Sequence, residues 1–117
     1  MLAHINQSQR DQLDTLVQKT GIDEKILIDE AFRLFLERSE YIMRQDPYIP
    51  NVEAMHYEAL KSQHCALMVD MSHSPGNAIA DFLTENMSLS AESLSYVTRK
   101  ALSLLFEGKQ IEKKLHI

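Results

Sequence analysis

The 117-residue chain has one cysteine, three glycines, three prolines and no tryptophan. The single cysteine, Cys65, excludes a disulfide within the chain and a zinc site built from several cysteines, and it is typical of a reducing compartment. Because glycine and proline are scarce while Leu, Ala, Glu, Gln and Met are frequent, the composition favours helices over strands. We therefore predict a mainly helical protein of the all-α class.

Long apolar runs are lacking as well. No stretch approaches the roughly 20 residues of a membrane-spanning helix, and the opening MLAHINQSQR has neither the basic nor the apolar region of an export signal. These features predict a cytoplasmic protein with no membrane partner. The net charge of −5 argues against a protein whose whole surface coats a polyanion, although a local basic patch can still bind one.

Apolar residues recur at helical spacing in five segments that are separated by turn residues. We expect helices over residues 9–20, 24–44, 51–71, 77–86 and 90–108. The predicted amino-terminal caps are Ser8, Asp23, Asn51 and either Ser88 or Ser90, and Gly21 is the predicted stop of the first helix.

The second predicted helix is apolar over more than half of its circumference, so it must be covered on several sides. In a chain this short, the simplest cover is a second copy of the same chain. The prolines of DPYIPN, residues 46–51, then divide the chain into a dimerisation unit, residues 1–44, and a helical extension packed on it, residues 51–117. We expect a homodimer or a higher homo-oligomer.

The run LDTLVQKTGIDEKILIDEAFRLFLER, residues 13–38, resembles the helical part of the ribbon-helix-helix family of dimeric DNA-binding transcription regulators. The positions that match the family pattern are Leu13, Leu16, Thr20, Gly21, Leu27, Ile28, Glu30, Ala31, Phe32 and Leu36. The resemblance implies that a short strand, residues 1–6, pairs with the same strand of a second chain. The two strands then form an antiparallel ribbon whose outward side chains read bases in the major groove.

On this resemblance the chain is a homodimeric, ribbon-helix-helix-like DNA-binding regulator. Its strand is expected to turn Met1, Ala3 and Ile5 inward. The candidate DNA contacts, on the outward side of the strand and near the starts of the two helices, are Leu2, His4, Asn6, Arg10 and Lys25.

Two features favour an alternative function. The outward positions of the strand include no Arg, Lys or Gln, and the carboxylates of Asp23 and Glu24 at the start of the second helix would repel a phosphate. The alternative is an acidic, all-helical adaptor or inhibitor that binds another protein through its carboxyl-terminal helices.

No catalytic, cofactor or metal constellation is recognisable in the sequence, so we expect neither an enzyme nor a bound cofactor or metal. His56, Gln63 and Asp70 repeat every seven residues within the apolar face of the helix predicted over residues 51–71. Buried polar groups of this kind can fix the partner and the register of a helix association. The alternatives are side chains at the edge of solvent, or the polar lining of a ligand pocket.

Residues 77–107 weakly repeat the short-helix, turn, long-helix pattern of residues 9–44. Either a repeated unit or the general likeness of amphipathic helix pairs explains this pattern. Positive charge is concentrated near the carboxyl end, in Arg99, Lys100, Lys109, Lys113 and Lys114. These residues either contact phosphates or an acidic partner, or stabilise the end of the last helix.

Overall fold

A computed structural model describes residues 1–63 and 65–108 of the chain. In these residues a short strand and two helices are followed by a connecting helix, a second strand and two more helices. In chain order the elements are β1 (Leu2–His4), α1 (Gln7–Thr20), α2 (Glu24–Gln45), α3 (Pro50–Lys61), β2 (Ala66–Met68), α4 (Gly76–Asn86) and α5 (Ala91–Gly108). The prediction of a mainly helical fold with a short amino-terminal strand is confirmed.

The first helix begins two residues earlier than predicted. Its cap is Asn6, whose Oδ1 accepts a hydrogen bond from a first-turn N–H at 2.7 Å, and the predicted cap Ser8 lies inside the helix. Gly21 ends α1 as predicted, because its φ of 72° lies in the left-handed region that glycine adopts freely. The predicted caps Asp23 and Ser90 are also confirmed, since each side chain accepts a hydrogen bond from the first turn of the helix that follows.

The third helix is much shorter than predicted. It begins at Pro50, so the predicted cap Asn51 lies inside it, and it ends at Lys61 instead of Met71. The chain then continues into β2, where the side chains of residues 65–69 alternate between buried and exposed. This period of two belongs to a strand, because a helix would spread the same residues around its circumference.

The two strands pair antiparallel within one chain, and we call this two-stranded sheet the ribbon. Leu2, Ala3 and His4 lie opposite Met68, Leu67 and Ala66, respectively. Beyond these pairs, the Ile5 N–H donates to the Cys65 carbonyl at 3.0 Å, and the Val69 N–H donates to the Met1 carbonyl at 2.8 Å. The strand partner that the family resemblance would take from a second chain is therefore supplied by β2 of the same chain.

A strand followed by two helices occurs twice along the chain. The first unit is β1, α1 and α2, the second unit is β2, α4 and α5, and α3 connects them. The weak sequence repeat between residues 9–44 and residues 77–107 therefore has a structural counterpart. This agreement favours a repeated unit over a general likeness of helix pairs.

The long helices of the two units, α2 and α5, pack against each other more extensively than any other two elements. These two helices lie at the centre of the core, which is built from large side chains that are almost fully buried. These are Ile5, Leu13, Leu27, Phe32, Phe35, Leu67, Ile79, Leu83, Leu94, Tyr96, Val97 and Leu102. The apolar circumference of α2, for which a second copy was the expected cover, is packed against α5, α1 and α4 of its own chain. Homodimerisation through residues 1–44 stays a prediction.

The connecting helix α3 is tied to α5 by an ion pair. The Arg99 guanidinium lies 2.8 Å from the Glu53 carboxylate, and both side chains are less than one-fifth exposed. In the segment before α3, the Asp46 carbonyl accepts a hydrogen bond from the Tyr96 hydroxyl at 2.6 Å. Burial, reinforced by the nearby Asp46 charge, raises the pKa of Tyr96 to about 12. These contacts hold the connection between the two units against the second unit.

Some sequence predictions fall outside the residues that the structure describes. They concern Lys109, Lys113 and Lys114 of the basic carboxyl end. Within residues 1–63 and 65–108, no helix is both long enough and apolar enough to cross a membrane. The predicted boundary at residues 46–51 falls at the connection between α2 and α3.

Candidate functional site: the ribbon

The outer face of the ribbon is formed by Leu2 and His4 from β1 and by Ala66 and Met68 from β2. Leu2 is 47% exposed and Met68 is 71% exposed, whereas the inward Ala3 is buried. None of the four outer side chains is an arginine or a lysine. The outer face therefore offers apolar contact area and has no lysine or arginine, and the amino-terminal ammonium of Met1 lies 3.9 Å from the Met68 sulfur.

The inward and outward sides of β1 agree with the sequence prediction from Leu2 to Ile5, because Ala3 and Ile5 are fully buried. Met1 was expected to point inward and is 41% exposed. It precedes β1 at the end of the ribbon.

His4, a candidate DNA contact, is engaged within the chain. Its ring lies edge-on to the Tyr57 ring of α3, with 5.4 Å between the ring centres, and its Nδ1 is buried with no partner among the described residues. Its backbone N–H donates to the Ser95 Oγ of α5 at 2.9 Å. The Nδ1 of His4 is therefore closed to a base in this structure.

The three polar candidates for DNA contact also have partners inside the chain. Asn6 caps α1 with its side chain. Arg10 pairs with Asp14 at 2.6 Å and with Glu24. Burial disfavours the charge on Arg10, but the hydrogen bonds to these two carboxylates outweigh it and raise the pKa of Arg10. Lys25 lies 3.8 Å from an Asp70 carboxylate oxygen.

The three polar residues expected to line one helix face do not share an element. His56 lies on α3, with its Nδ1 3.6 Å from the Glu53 carboxylate. Gln63 follows α3, and its Oε1 accepts a hydrogen bond from the Gln7 N–H at 3.3 Å. Asp70 follows β2. A common role of the three in fixing a helix partner would need the longer helix that the structure does not contain.

Asp70 instead organises the turn after β2. Its carboxylate accepts hydrogen bonds from the Ser72 hydroxyl at 2.6 Å and from the Ser72 N–H at 2.9 Å, and it lies 2.8 Å from the His73 Nδ1. These hydrogen bonds, those of Ser72 first, hold the pKa of Asp70 well below its usual value. Asp70 is therefore a structural carboxylate at one end of the ribbon.

Sequence reasoning missed the β2 half of the ribbon and the groove beside it. This groove, of about 190 Å³, separates β2 from α2 and is lined by Lys25, Ile28, Asp29, Phe32, Met68, Val69 and Asp70. Ile28 and Phe32 are buried apolar side chains at its floor. The run CALMV around β2 is apolar throughout, so its pattern does not separate a strand from a buried helix segment. The weak repeat of residues 9–44 is the signal that could have revealed this part of the site.

In the part of the chain that the structure describes, no three His, Cys, Asp or Glu side chains come together as metal ligands would. No protein-family model, curated protein or solved structure matches the chain. What the candidate site can bind follows from its own residues. It offers exposed apolar side chains, main-chain groups at strand edges and a charged rim.

Proposed function

We propose that this chain is a protein-binding regulatory module whose binding surface is the ribbon and the groove beside it. The observation that carries the proposal is the pair of exposed apolar side chains, Leu2 and Met68, on an outer face that includes no lysine or arginine. Apolar patches at the surface of a folded domain typically mark contacts with another protein.

The charges near the ribbon support a protein partner over a nucleic acid. Binding to DNA gains most of its affinity from Lys and Arg side chains that neutralise phosphates. Here Arg10 is committed to two carboxylates and Lys25 lies beside Asp70. Phosphate contact would have to break these pairs, at a cost that a protein partner avoids.

DNA reading by the ribbon is the second candidate. It is favoured by one observation, the antiparallel two-stranded ribbon itself, which has the shape that enters a major groove in proteins of the resembled family. In that case the two strand–helix–helix units of one chain would take the places of two subunits. The same reasoning makes a second copy of the chain unnecessary for forming the ribbon.

Titration of the purified chain with random duplex DNA, from about 50 mM to about 200 mM salt, separates the two candidates. We expect no binding that weakens steeply with salt. Strong binding with a steep salt dependence, reduced by Arg10→Ala, would overturn the proposal and establish the DNA-binding candidate.

The positive test is selection of a displayed random-peptide library on the full chain. We expect the selected peptides to bind the parent protein and to lose binding to Met68→Glu, because this change places a charge in the exposed apolar face. Leu89→Glu is the matched control, since Leu89 is a 52% exposed apolar residue in the α4–α5 connection. Equal binding to both variants would place the protein-binding surface elsewhere and contradict the proposal.

A further inference from the structure

The two strands of the ribbon differ at their outer edges. The hydrogen bonds from Ile5 to Cys65 and from Val69 to Met1 fix which residues face the partner strand. In this register, the N–H and C=O groups of residues 2, 4, 66 and 68 point away from the partner strand. Each strand therefore has an outer edge whose main-chain groups need other partners.

The outer edge of β1 is closed by α5. The N–H of His4, the third residue of β1, donates to the hydroxyl of Ser95, the fifth residue of α5. Ser95 is fully buried, and α5 packs closely along β1. No room for another strand exists on this side of the ribbon.

The outer edge of β2 is open. Met68 and Ile28 are the counterparts of His4 and Ser95, because they too are the third residue of a strand, β2, and the fifth residue of a long helix, α2. Ile28 has a hydrocarbon side chain that cannot accept a hydrogen bond. Among the described residues, the main-chain N–H groups of Ala66 and Met68 have no acceptor. β2 stands away from α2, and the groove lies between them. Within the described residues, the outer edge of β2 therefore has no hydrogen bond to α2 that would correspond to the one between His4 of β1 and Ser95 of α5.

The groove has a distinct chemistry. Its volume of about 190 Å³ corresponds to about six water molecules of the liquid, which is room for one aliphatic side chain above Ile28 and Phe32. At the rim, Lys25 is paired with Asp70. The carboxylate of Asp29 has no ion-pair partner among the described residues, so the rim keeps an unpaired negative charge.

We propose that the outer edge of β2 binds an extended peptide segment of a partner protein as the third strand of the ribbon. Main-chain groups of Ala66 and Met68 pair with the peptide backbone, because only an extended chain offers donors and acceptors at the spacing of a strand edge. An aliphatic side chain of the peptide enters the groove, and a basic side chain beside it lies against Asp29. This inference rests on the protein-binding function proposed above.

Backbone methylation of the bound peptide tests this mode of binding directly. Peptides selected on the full chain are resynthesised with one N-methyl group at each successive position. We expect methylation to weaken binding about tenfold or more at alternate positions and to have little effect between them, since only alternate N–H groups of a strand face its neighbour. This series changes only the ligand, so its result does not depend on whether a protein variant folds.

Two protein variants locate the peptide on the β2 edge. Ile28→Ser puts a hydroxyl in the apolar floor of the groove, and we expect it to weaken binding about tenfold or more because the aliphatic side chain of the peptide loses an apolar contact. Ile28→Val, which keeps the floor apolar and the edge open, is the matched control and should bind like the parent. Circular dichroism verifies that both variants remain folded.

The outcomes separate the inference from the function on which it rests. Peptides that respond to Met68→Glu but show no alternation on methylation would overturn strand addition and leave protein binding through the ribbon standing. Self-association of the chain that blocks the selected peptides would identify a second copy as the occupant and overturn the inference. Failure to select any peptide, together with steeply salt-dependent DNA binding, would overturn both proposals.

Discussion

Replacing Ser95 by alanine removes the single acceptor that closes the outer edge of β1. The His4 N–H, 2.9 Å from the Ser95 Oγ, is then left without a partner beside a fully buried position. An unsatisfied buried donor costs about 1–3 kcal/mol. Alanine has a helix propensity better than that of serine by about 0.5 kcal/mol, which offsets part of this loss. We expect Ser95→Ala to lower the free energy of unfolding by about 1–2 kcal/mol, which corresponds to a fall in Tm of about 4–8 °C.

Urea unfolding followed by circular dichroism measures this loss, and hydrogen exchange of the His4 amide reports the edge itself. The exchange of this amide should become faster in Ser95→Ala. The matched control is Ser39→Ala in α2, because the Ser39 hydroxyl donates to the Leu36 carbonyl of its own helix and to no other element among the described residues. It should leave stability unchanged within about 0.5 kcal/mol. Unchanged stability and unchanged His4 exchange in Ser95→Ala would refute the closure of the β1 edge by α5.

Two further changes test the packing around the ribbon and the attachment of the connecting helix. Gly76→Ala should lower the free energy of unfolding in urea by about 1–3 kcal/mol. The added Cβ would lie 1.8 Å from the Asp70 carbonyl oxygen and would push the end of the ribbon outward. Unchanged stability would contradict this packing. In a spectrophotometric titration of tyrosine ionisation, Tyr96 should ionise with a pKa of about 12. Because the pKa of Tyr96 is raised in the folded protein, the stability that it contributes is complete below pH 10.0 and is lost as the pH rises toward about 12. Tyr96→Phe should therefore lack this loss of stability at alkaline pH.

The helix boundaries that depend on local chemistry were predictable from the sequence. Gly21 supplies the left-handed stop, and Asp23 and Ser90 supply side-chain acceptors to the helices that follow them. The segment before α4 was misread because Ala66, Leu67 and Met68 are good helix formers. Their strand conformation is decided by pairing with β1, which lies more than sixty residues earlier, and local propensity does not contain that information.

The candidate site was predictable only in part. The strand that the family resemblance implies over residues 1–6 placed Leu2 on the outer face, where the structure has it. The weak repeat of residues 9–44 in residues 77–107 was a usable signal for a second strand, because the first unit has a strand just before its short helix. The different closure of the two edges depends on which helix residue faces which strand residue. That Ser95 closes one edge and Ile28 leaves the other open is therefore visible only in the folded structure.

One chain builds the complete ribbon, because β1 pairs with β2 of the same chain. Leu2 and Met68 are opposite each other in a pair without mutual hydrogen bonds, where Cα atoms lie about 4.5 Å apart and a disulfide can form. We would therefore oxidise the variant Leu2→Cys, Met68→Cys in a Cys65→Ser background and measure its mass under denaturing, non-reducing conditions. A disulfide within a species of monomer mass is the predicted result, and a disulfide-linked dimer would show that the ribbon forms between two chains.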